Sequence, residues 1–494
     1  MQLTLNPSSI DDYRTFLAVK RLPSWRIRGR LAEFPDEYAA QLGLAPKTHD
    51  ATDWTPSDFL FDYQRDIAKL AISKRKFAVF ADCGLGKTLI FLEFAQAAMR
   101  AMGSGRGVLM VTPAMVVEQT LQECRKFYPY LPAEKIAAKD LQEFLDDCGA
   151  RFGVTNYEAI KETLTPGKLG GLILDESSML KSHYGKWGTK LIELGRGLEW
   201  KLAGTGTPAP NDRIEYANHS VFLDHFPTVN SFLATYFVNR GQTQERWVLK
   251  DHALKPFYRA LSHWCIFLSN PATYGWKDNT TNIPPIKVQI HDVPLTDDQR
   301  AALQGETGEL FVARAGGITK RSKLGQIAKG MHNGNAIGTL KPEFIRKLVN
   351  SWSDKESTIV WCIYNHEQDT MEKMFPEAAS IRGETPHEKR LTLIDEFKSG
   401  ERRILISKPK VLGFGLNLQV ATRHVFSGIQ DSYESYYQAV KRSNRVGSTK
   451  PLNVHIPITE VEEPMLANVL RKAAMVQSDT EEQERIFKRC ATTY

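Results

Sequence analysis

FAVFADCGLGKTLIFLEF, residues 77–94, decides the fold. Its first four residues are apolar throughout, as suits a strand buried on both faces. The chain then turns through Gly84 and Gly86 into Lys87 and Thr88, and an amphipathic stretch continues to Met102. Strand, glycine loop and helix in this order make Ala81–Thr88 a phosphate-binding loop. Each residue type has its own reason. Glycines let backbone N–H groups of Asp82, Cys83, Gly84, Leu85 and Gly86 approach phosphate oxygens. Lys87 can reach the β and γ oxygens, Thr88 can hold Mg²⁺, and the helix start adds the positive end of its dipole. The general pattern opens on glycine, where this chain has Ala81. A chance glycine turn is the alternative, and the order of elements around the loop opposes it. By itself the loop predicts a protein that binds ATP or GTP with Mg²⁺.

Outward from this loop, short apolar runs alternate with amphipathic stretches, the pattern of a parallel sheet covered by helices. The runs are FAVF (77–80), VLMV (108–111), FGVT (152–155), GLIL (171–174) and KLAG (201–204). The rhythm weakens between about 226 and 345, where aromatic and then basic residues crowd, and this stretch is expected to be mostly helical. It returns at TIVWCIY (358–364), RILIS (403–407), HVFS (424–427) and NVHIPI (453–458). The expected organisation is an accessory segment (1–55), a first α/β lobe (56–225), a helical insertion or linker (226–345), a second lobe (346–460) and a helical extension (461–494). That extension is expected to pack on the second lobe, with service as an interface the less favoured alternative. In the first segment, RLPSWRIRGR gathers Arg21, Arg26, Arg28 and Arg30 around Trp25. This is either a solvated face or an auxiliary nucleic-acid contact.

A phosphate loop needs carboxylates for the metal and the attacking water. GGLILDESS supplies Asp175 and Glu176 at a strand end, where an open parallel sheet places its ligands. Asp175 is the candidate for Mg²⁺ and Glu176 for orienting or deprotonating the water. Elsewhere such a pair would mark only a cap or a solvated turn. Far downstream, QAVKRSNRVG places Arg442 and Arg445 three apart, on one face if the segment is helical. From a second lobe such cations could reach the γ-phosphate only when a cleft closes.

Composition sets outer bounds. With 494 residues, 42% hydrophobic and 24% charged, the chain suits a globular protein of two or three domains. No apolar run approaches the ~20 residues of a membrane span. The six cysteines form no C-x-x-C pair, which speaks against a disulfide framework or a structural zinc site. A net charge of +7 is compatible with a polyanion partner without requiring one. The start of the chain lacks a signal-peptide pattern, so the expected location is the cytoplasm, of a bacterial cell or of a host cell if the chain is phage-encoded.

The order of motifs resembles helicase superfamily two, and within it the Swi/Snf-type ATPases. ADCGLGKT resembles that family's first motif, shorter by one residue. FDYQRD resembles its adenine-contacting motif and implicates Gln64. VTPAMVVEQT, VTNYE (154–158), DESSMLKS and TGTPAPN (205–211) follow in family order, and then RGETPHEKRLTLIDEF, LGFGLNLQVA (412–421) and QAVKRSNRVGS. IPPIKVQIHDVPLTDDQ resembles the return strand into the second half. The resemblance covers about 59–458. It implies an α/β fold of two RecA-like parallel-sheet lobes with a mostly helical connecting region, ATP and Mg²⁺ between them, and nucleic acid crossing both. Thr205, Gly206 and Thr207, with Gly413, Gly415 and Asn417, would couple the ATP site to the track; each could equally be an ordinary loop residue. DESS stands in place of DEAH, so the usual histidine is absent and coupling can differ. No chromatin-reading domain is evident, which suits a compact prokaryotic or viral motor.

The function so implied is ATP-dependent helicase action or duplex translocation on DNA, with no membrane partner. An RNA-dependent helicase is one alternative. A nucleotide-switched scaffold with little hydrolysis is another, disfavoured because Lys87, Glu176 and both arginines are present.

Overall fold

The computed structural model describes residues 1–22, 25–34, 36–44, 53–182, 185–241, 246–277, 283–307, 318–412, 416–430, 432–445 and 447–491. The chain divides into two compact units, one of Met1–Asp278 with Val476–Tyr494 and one of Asn279–Met475.

The first unit is built on a seven-stranded sheet. In spatial order its strands are Cys265–Leu268, Lys76–Ala81, Trp200–Gly204, Leu169–Asp175, Gly107–Thr112, Phe152–Asn156 and Ala133–Lys135. Every pairing in it is parallel. The central strands are apolar on both faces because helices cover both. Alternate residues accordingly enter different cores. Ala78, Phe80, Leu109, Val111, Leu172 and Leu174 join one cluster, while Phe77, Val79, Val108, Met110 and Ile173 join the other. The helices Lys87–Met102 and Val117–Phe127 agree with the predicted stretches. At its N-terminal end this unit carries a small antiparallel sheet of Gln2–Thr4, Leu31–Glu33 and Arg26–Arg28, closed over its own core of Leu5, Val19, Leu22, Ala32, Phe34 and Tyr38.

The second unit repeats the architecture with six parallel strands. Their order is Ile286–Asp292, Leu452–Ile458, Ala421–Phe426, Ser357–Trp361, Ile404–Ser407 and Ala379–Ser380. Ile345, Val349, Val360, Met371, Phe375, Ile404, Ile406 and Val425 form a buried core there. The carboxylate of Glu462 is also buried, between the ammonium groups of Lys329 and Lys341.

Two parallel-sheet α/β units, as expected, are therefore present. The stretch 226–345, expected to be a mostly helical connection, does carry the helices Val229–Tyr236, Leu254–Trp264, Asp297–Thr307 and Ile318–Ala328, but it is shared between the two units, which divide at 278/279. The same stretch also delivers an edge strand to each sheet, Cys265–Leu268 to the first and Ile286–Asp292 to the second. The strand in FYRALSHWCIF was hidden because its apolar residues run straight on from those of the preceding helix.

The expected packing of the C-terminal extension on the second lobe needs correction. The division between units falls inside the helix Glu463–Ala491, and its distal part belongs to the first unit. There Asp479 accepts two hydrogen bonds from Arg213, at 3.0 and 2.6 Å, and one from the Tyr258 hydroxyl at 2.6 Å. Gln483 donates to the Tyr258 carbonyl, and Glu484 accepts from both the backbone and the hydroxyl of Ser269.

Candidate active site

The phosphate loop leaves the sheet at Ala81 and enters its helix at Gly86, which caps the helix with φ +65°. Gly84 is also left-handed, at φ +90°. At Gly86 two constraints coincide: a Cβ would lie 2.3 Å from Nε2 of Gln64 in addition to the unfavourable φ. Gln64 is buried and braces the loop. Its Nε2 donates to the Gly86 carbonyl at 3.2 Å, and its Oε1 accepts from the Phe61 N–H at 3.0 Å. Tyr63 adds a bond from its hydroxyl to the Leu85 carbonyl. Leu85 is buried, whereas Asp82, Cys83, Gly84, Gly86, Lys87 and Thr88 are half-buried along the loop. Asp82 folds its carboxylate back on the Cys83 N–H at 2.6 Å. The Lys87 ammonium sits over the loop, 2.8 Å from the Ala81 carbonyl and 3.3 Å from that of Asp82.

Asp175 ends the Leu169–Asp175 strand, one strand removed from the loop's own in the same sheet. Its carboxylate accepts from the Thr112 hydroxyl at 2.9 Å and from the Glu176 N–H at 3.0 Å. Burial, and next the charge of Glu176, raise its pKa to about 6, with Lys87 and Thr112 pulling the other way. Glu176 occupies left-handed backbone, φ +55° and ψ +50°. Its Oε2 accepts from the Thr205 hydroxyl at 3.2 Å, and the Thr207 N–H donates to that same hydroxyl. Gly206 lies against the loop, where a Cβ would stand 3.4 Å from Cys83 Sγ and 3.5 Å from the Ala81 carbonyl. The first-unit candidates, from Gln64 to Thr207, are thus brought together at the C-terminal ends of adjacent strands, where open parallel sheets bind ligands.

Two partners in this cluster escaped the sequence. Thr112 ends the Gly107–Thr112 strand and holds Asp175. His219, on the helix Tyr216–Phe222, lies 3.0 Å through Nε2 from the Ser177 hydroxyl, the residue after Glu176. Its Nδ1 faces the Glu215 carbonyl at 3.4 Å, so Nδ1 carries the proton and Nε2 accepts from Ser177. Burial lowers the His219 pKa to about 4, which keeps the ring neutral. No spacing rule connects residues 42 positions apart in different elements.

In the second unit, Arg442 and Arg445 do not share a helical face. The helix Tyr433–Val440 ends first, and both arginines follow it in turns. Arg442 is buried, with its guanidinium bonded to the carbonyl and side-chain oxygens of Gln438. The Leu418 N–H donates to the Arg442 carbonyl, and the Ser443 hydroxyl donates to the Leu418 carbonyl while accepting from His424 Nε2. Asn417 exchanges bonds with Gln419, against which Gly447 packs. The segment after 415 and the residues 442–445 and Gly447 are therefore in contact locally. Gly413 and Gly415 lie outside the described residues.

Comparison with known proteins adds to this geometry. The helicase conserved C-terminal domain matches residues 340–447. A DNA excision repair protein CSB of Oryza sativa subsp. japonica is 22% identical over an alignment spanning 87% of this chain and 42% of its own length. The ATP-dependent helicase fft1 of Schizosaccharomyces pombe is 32% identical over 23% of this chain and 12% of its own. The chain thus spans less than half the length of these curated relatives. Among solved structures, the Sulfolobus solfataricus SWI2/SNF2 ATPase core in complex with dsDNA is similar, with a TM-score of 0.39 and 19% identity over 89% of this chain and 97% of that one. The Pyrococcus furiosus Hef helicase domain gives 0.48 and 13% over 83% and 97%. No described helix is long and apolar enough to cross a membrane. With its motifs in order, the chain carries a helicase conserved C-terminal domain over 340–447 and resembles the Snf2-type helicase-like proteins of superfamily two.

Proposed function

We propose that this chain is a DNA-dependent ATPase that moves along or remodels duplex DNA. The observation that carries the proposal is the convergence of Lys87, Asp175, Glu176 and Thr205 at the C-terminal ends of one parallel sheet, beside a glycine cradle too tight for a side chain at Gly86.

The residues suit MgATP, which supplies the phosphoryl group. Backbone N–H groups of 82–86 and the Lys87 ammonium would bind its phosphates, with Thr88 and Asp175 holding Mg²⁺. Glu176 would orient the attacking water and take its proton, from a carboxylate steadied by Thr205. From the second unit, Arg442 and Arg445 are the candidate arginine fingers, and Thr205–Thr207 with Gly413, Gly415 and Asn417 would couple hydrolysis to the DNA. The CSB relative, named for DNA excision repair, favours DNA over RNA.

ATP turnover of the full chain, measured with duplex DNA, single-stranded DNA and RNA alongside strand separation, tests this. Stimulation by DNA and its loss in Lys87→Ala are expected. Stimulation by RNA alone would favour the RNA-dependent alternative. Turnover that no polymer stimulates, or that is equal in wild type and Lys87→Ala, would sink the motor and leave a nucleotide-switched scaffold.

A further inference from the structure

The N-terminal module carries an exposed surface that the ATP site does not use. Lys20, Arg21, Arg26, Arg28 and Arg30 place five cations within eleven residues that contain no acid. All five are exposed, and none forms an ion pair among the described residues. The nearby acids are engaged elsewhere: Asp11 with Arg14, Asp12 with the Asn6 N–H, and Glu33 with Gln2. Along the Arg26–Arg28 strand the half-buried Ile27 turns toward the module's core, so both arginines share the outer face. Arg30 follows in the turn to Leu31–Glu33.

Aromatic rings continue this surface. Tyr13 stacks on Phe16 at 6.2 Å between centroids, and Lys20 Nζ lies 5.1 Å from the Phe16 ring and 5.9 Å from that of Trp25. Tyr13 remains 56% exposed and Trp25 36%. Open rings beside the Lys20 ammonium, on a module that also presents exposed guanidinium groups, suit a single nucleic-acid strand, with bases stacking on rings and phosphates meeting cations. An acidic peptide would use the cations and leave the rings idle.

We propose that this face binds an unpaired nucleic-acid strand, its phosphates on Arg26, Arg28 and Arg30 and its bases on Tyr13 and Trp25. The proposal rests on the reading of the chain as a nucleic-acid-dependent ATPase, and it adds a contact outside both sheet units' motif loops.

The test is fluorescence anisotropy of a labelled single-stranded oligonucleotide with the full chain over a salt series. Arg26→Ala, Arg28→Ala and Arg30→Ala together should weaken binding at least about tenfold and flatten the log–log salt slope by about 2, three lost phosphate contacts at roughly 0.7 each. Tyr13→Ala with Trp25→Ala should weaken binding about tenfold with the slope kept. ATP turnover without nucleic acid should stay at the wild-type rate in both proteins. The corresponding Arg→Gln protein serves if the alanine version does not fold. Wild-type affinity and slope in the triple variant would overturn the proposal, as would equal competition by polyglutamate. If the wild type bound no single strand yet hydrolysed ATP in response to duplex, this inference would fail while the motor reading stood.

Discussion

At the scale of single residues, Glu176 poses the sharpest question. A glutamate at φ +55° sits in backbone that disfavours L side chains by on the order of 1 kcal/mol. What holds it are hydrogen bonds on both sides. Its own N–H is fixed by Asp175, its carboxylate by Thr205, and the next residue, Ser177, by His219. An imidazole does stand nearby, on another helix, hydrogen-bonded to Ser177. Ser177→Ala should lower kcat for ATP about tenfold and leave KM nearly unchanged, because the Glu176 carboxylate, proposed to orient the water, loosens while the phosphate loop does not. Since His219 titrates only near 4, the pH–rate curve should fall in height without moving its limbs between pH 6 and 9. A moved limb would refute the positioning role. Gly86→Ala should instead damage binding: its Cβ would displace the Gln64 amide, so a rise in the Kd of a fluorescent ATP analogue of tenfold or more is expected. Lys87, Asp175 and Glu176 could be nominated from local pattern alone. Thr112 and His219 could not, because their relation to the carboxylates is made by strand adjacency and helix packing.

Among the elements, the helix Glu463–Ala491 shows how a polar seam can fasten a long segment. Asp479 is buried and takes a bidentate bond from Arg213 plus the Tyr258 hydroxyl. Asp479→Ala would leave the guanidinium partly buried without its carboxylate, which should cost about 3 kcal/mol in urea denaturation; an unchanged midpoint would show the seam to be dispensable. In the second unit, Glu462 joins Lys329, on the turn after the helix Ile318–Ala328, to Lys341, at the start of Lys341–Asn350. Despite burial, the two ammonium groups hold its pKa down to about 2, against 4.5 for an ordinary glutamate. A depressed carboxylate contributes stability that is full above pH 4.5 and is lost as pH falls toward 2. Acid unfolding of the wild type should therefore steepen in that window, and Glu462→Gln should remove this component while lowering stability at pH 7. That the C-terminal extension and the 226–345 stretch carry helices was plain in the sequence. Their docking was not, since an acidic residue on a helix reads as solvated until its buried partner is seen.

For the molecule as a whole, the motif set is divided between two units built on sheets of the same design, and the proposed activity calls on residues of both. Arg445→Ala in the full chain should reduce DNA-stimulated turnover by on the order of 10³-fold with ATP affinity retained within a few-fold, as for an arginine finger. Arg442→Ala should do the same with an added loss of thermal stability, because its guanidinium is buried on Gln438. Equal turnover in the Arg445 variant and the wild type would remove that arginine from the mechanism. The two α/β units, their central strands, the phosphate loop and the acidic pair were all determined by the sequence itself, for a physical reason. Strands buried on both faces must be apolar throughout, and phosphate chemistry demands glycine, lysine and carboxylate at set places in the loop and at strand ends. Tertiary structure alone decided the edge strands Cys265–Leu268 and Ala379–Ser380, the turn that carries Arg442, the Ser177–His219 bond and the fastening of the last helix to the first unit. Each of these is a meeting of residues far apart in the chain, or an element too short to show a period. Such partners are chosen by burial and hydrogen-bond complementarity in the folded chain, which no local pattern encodes.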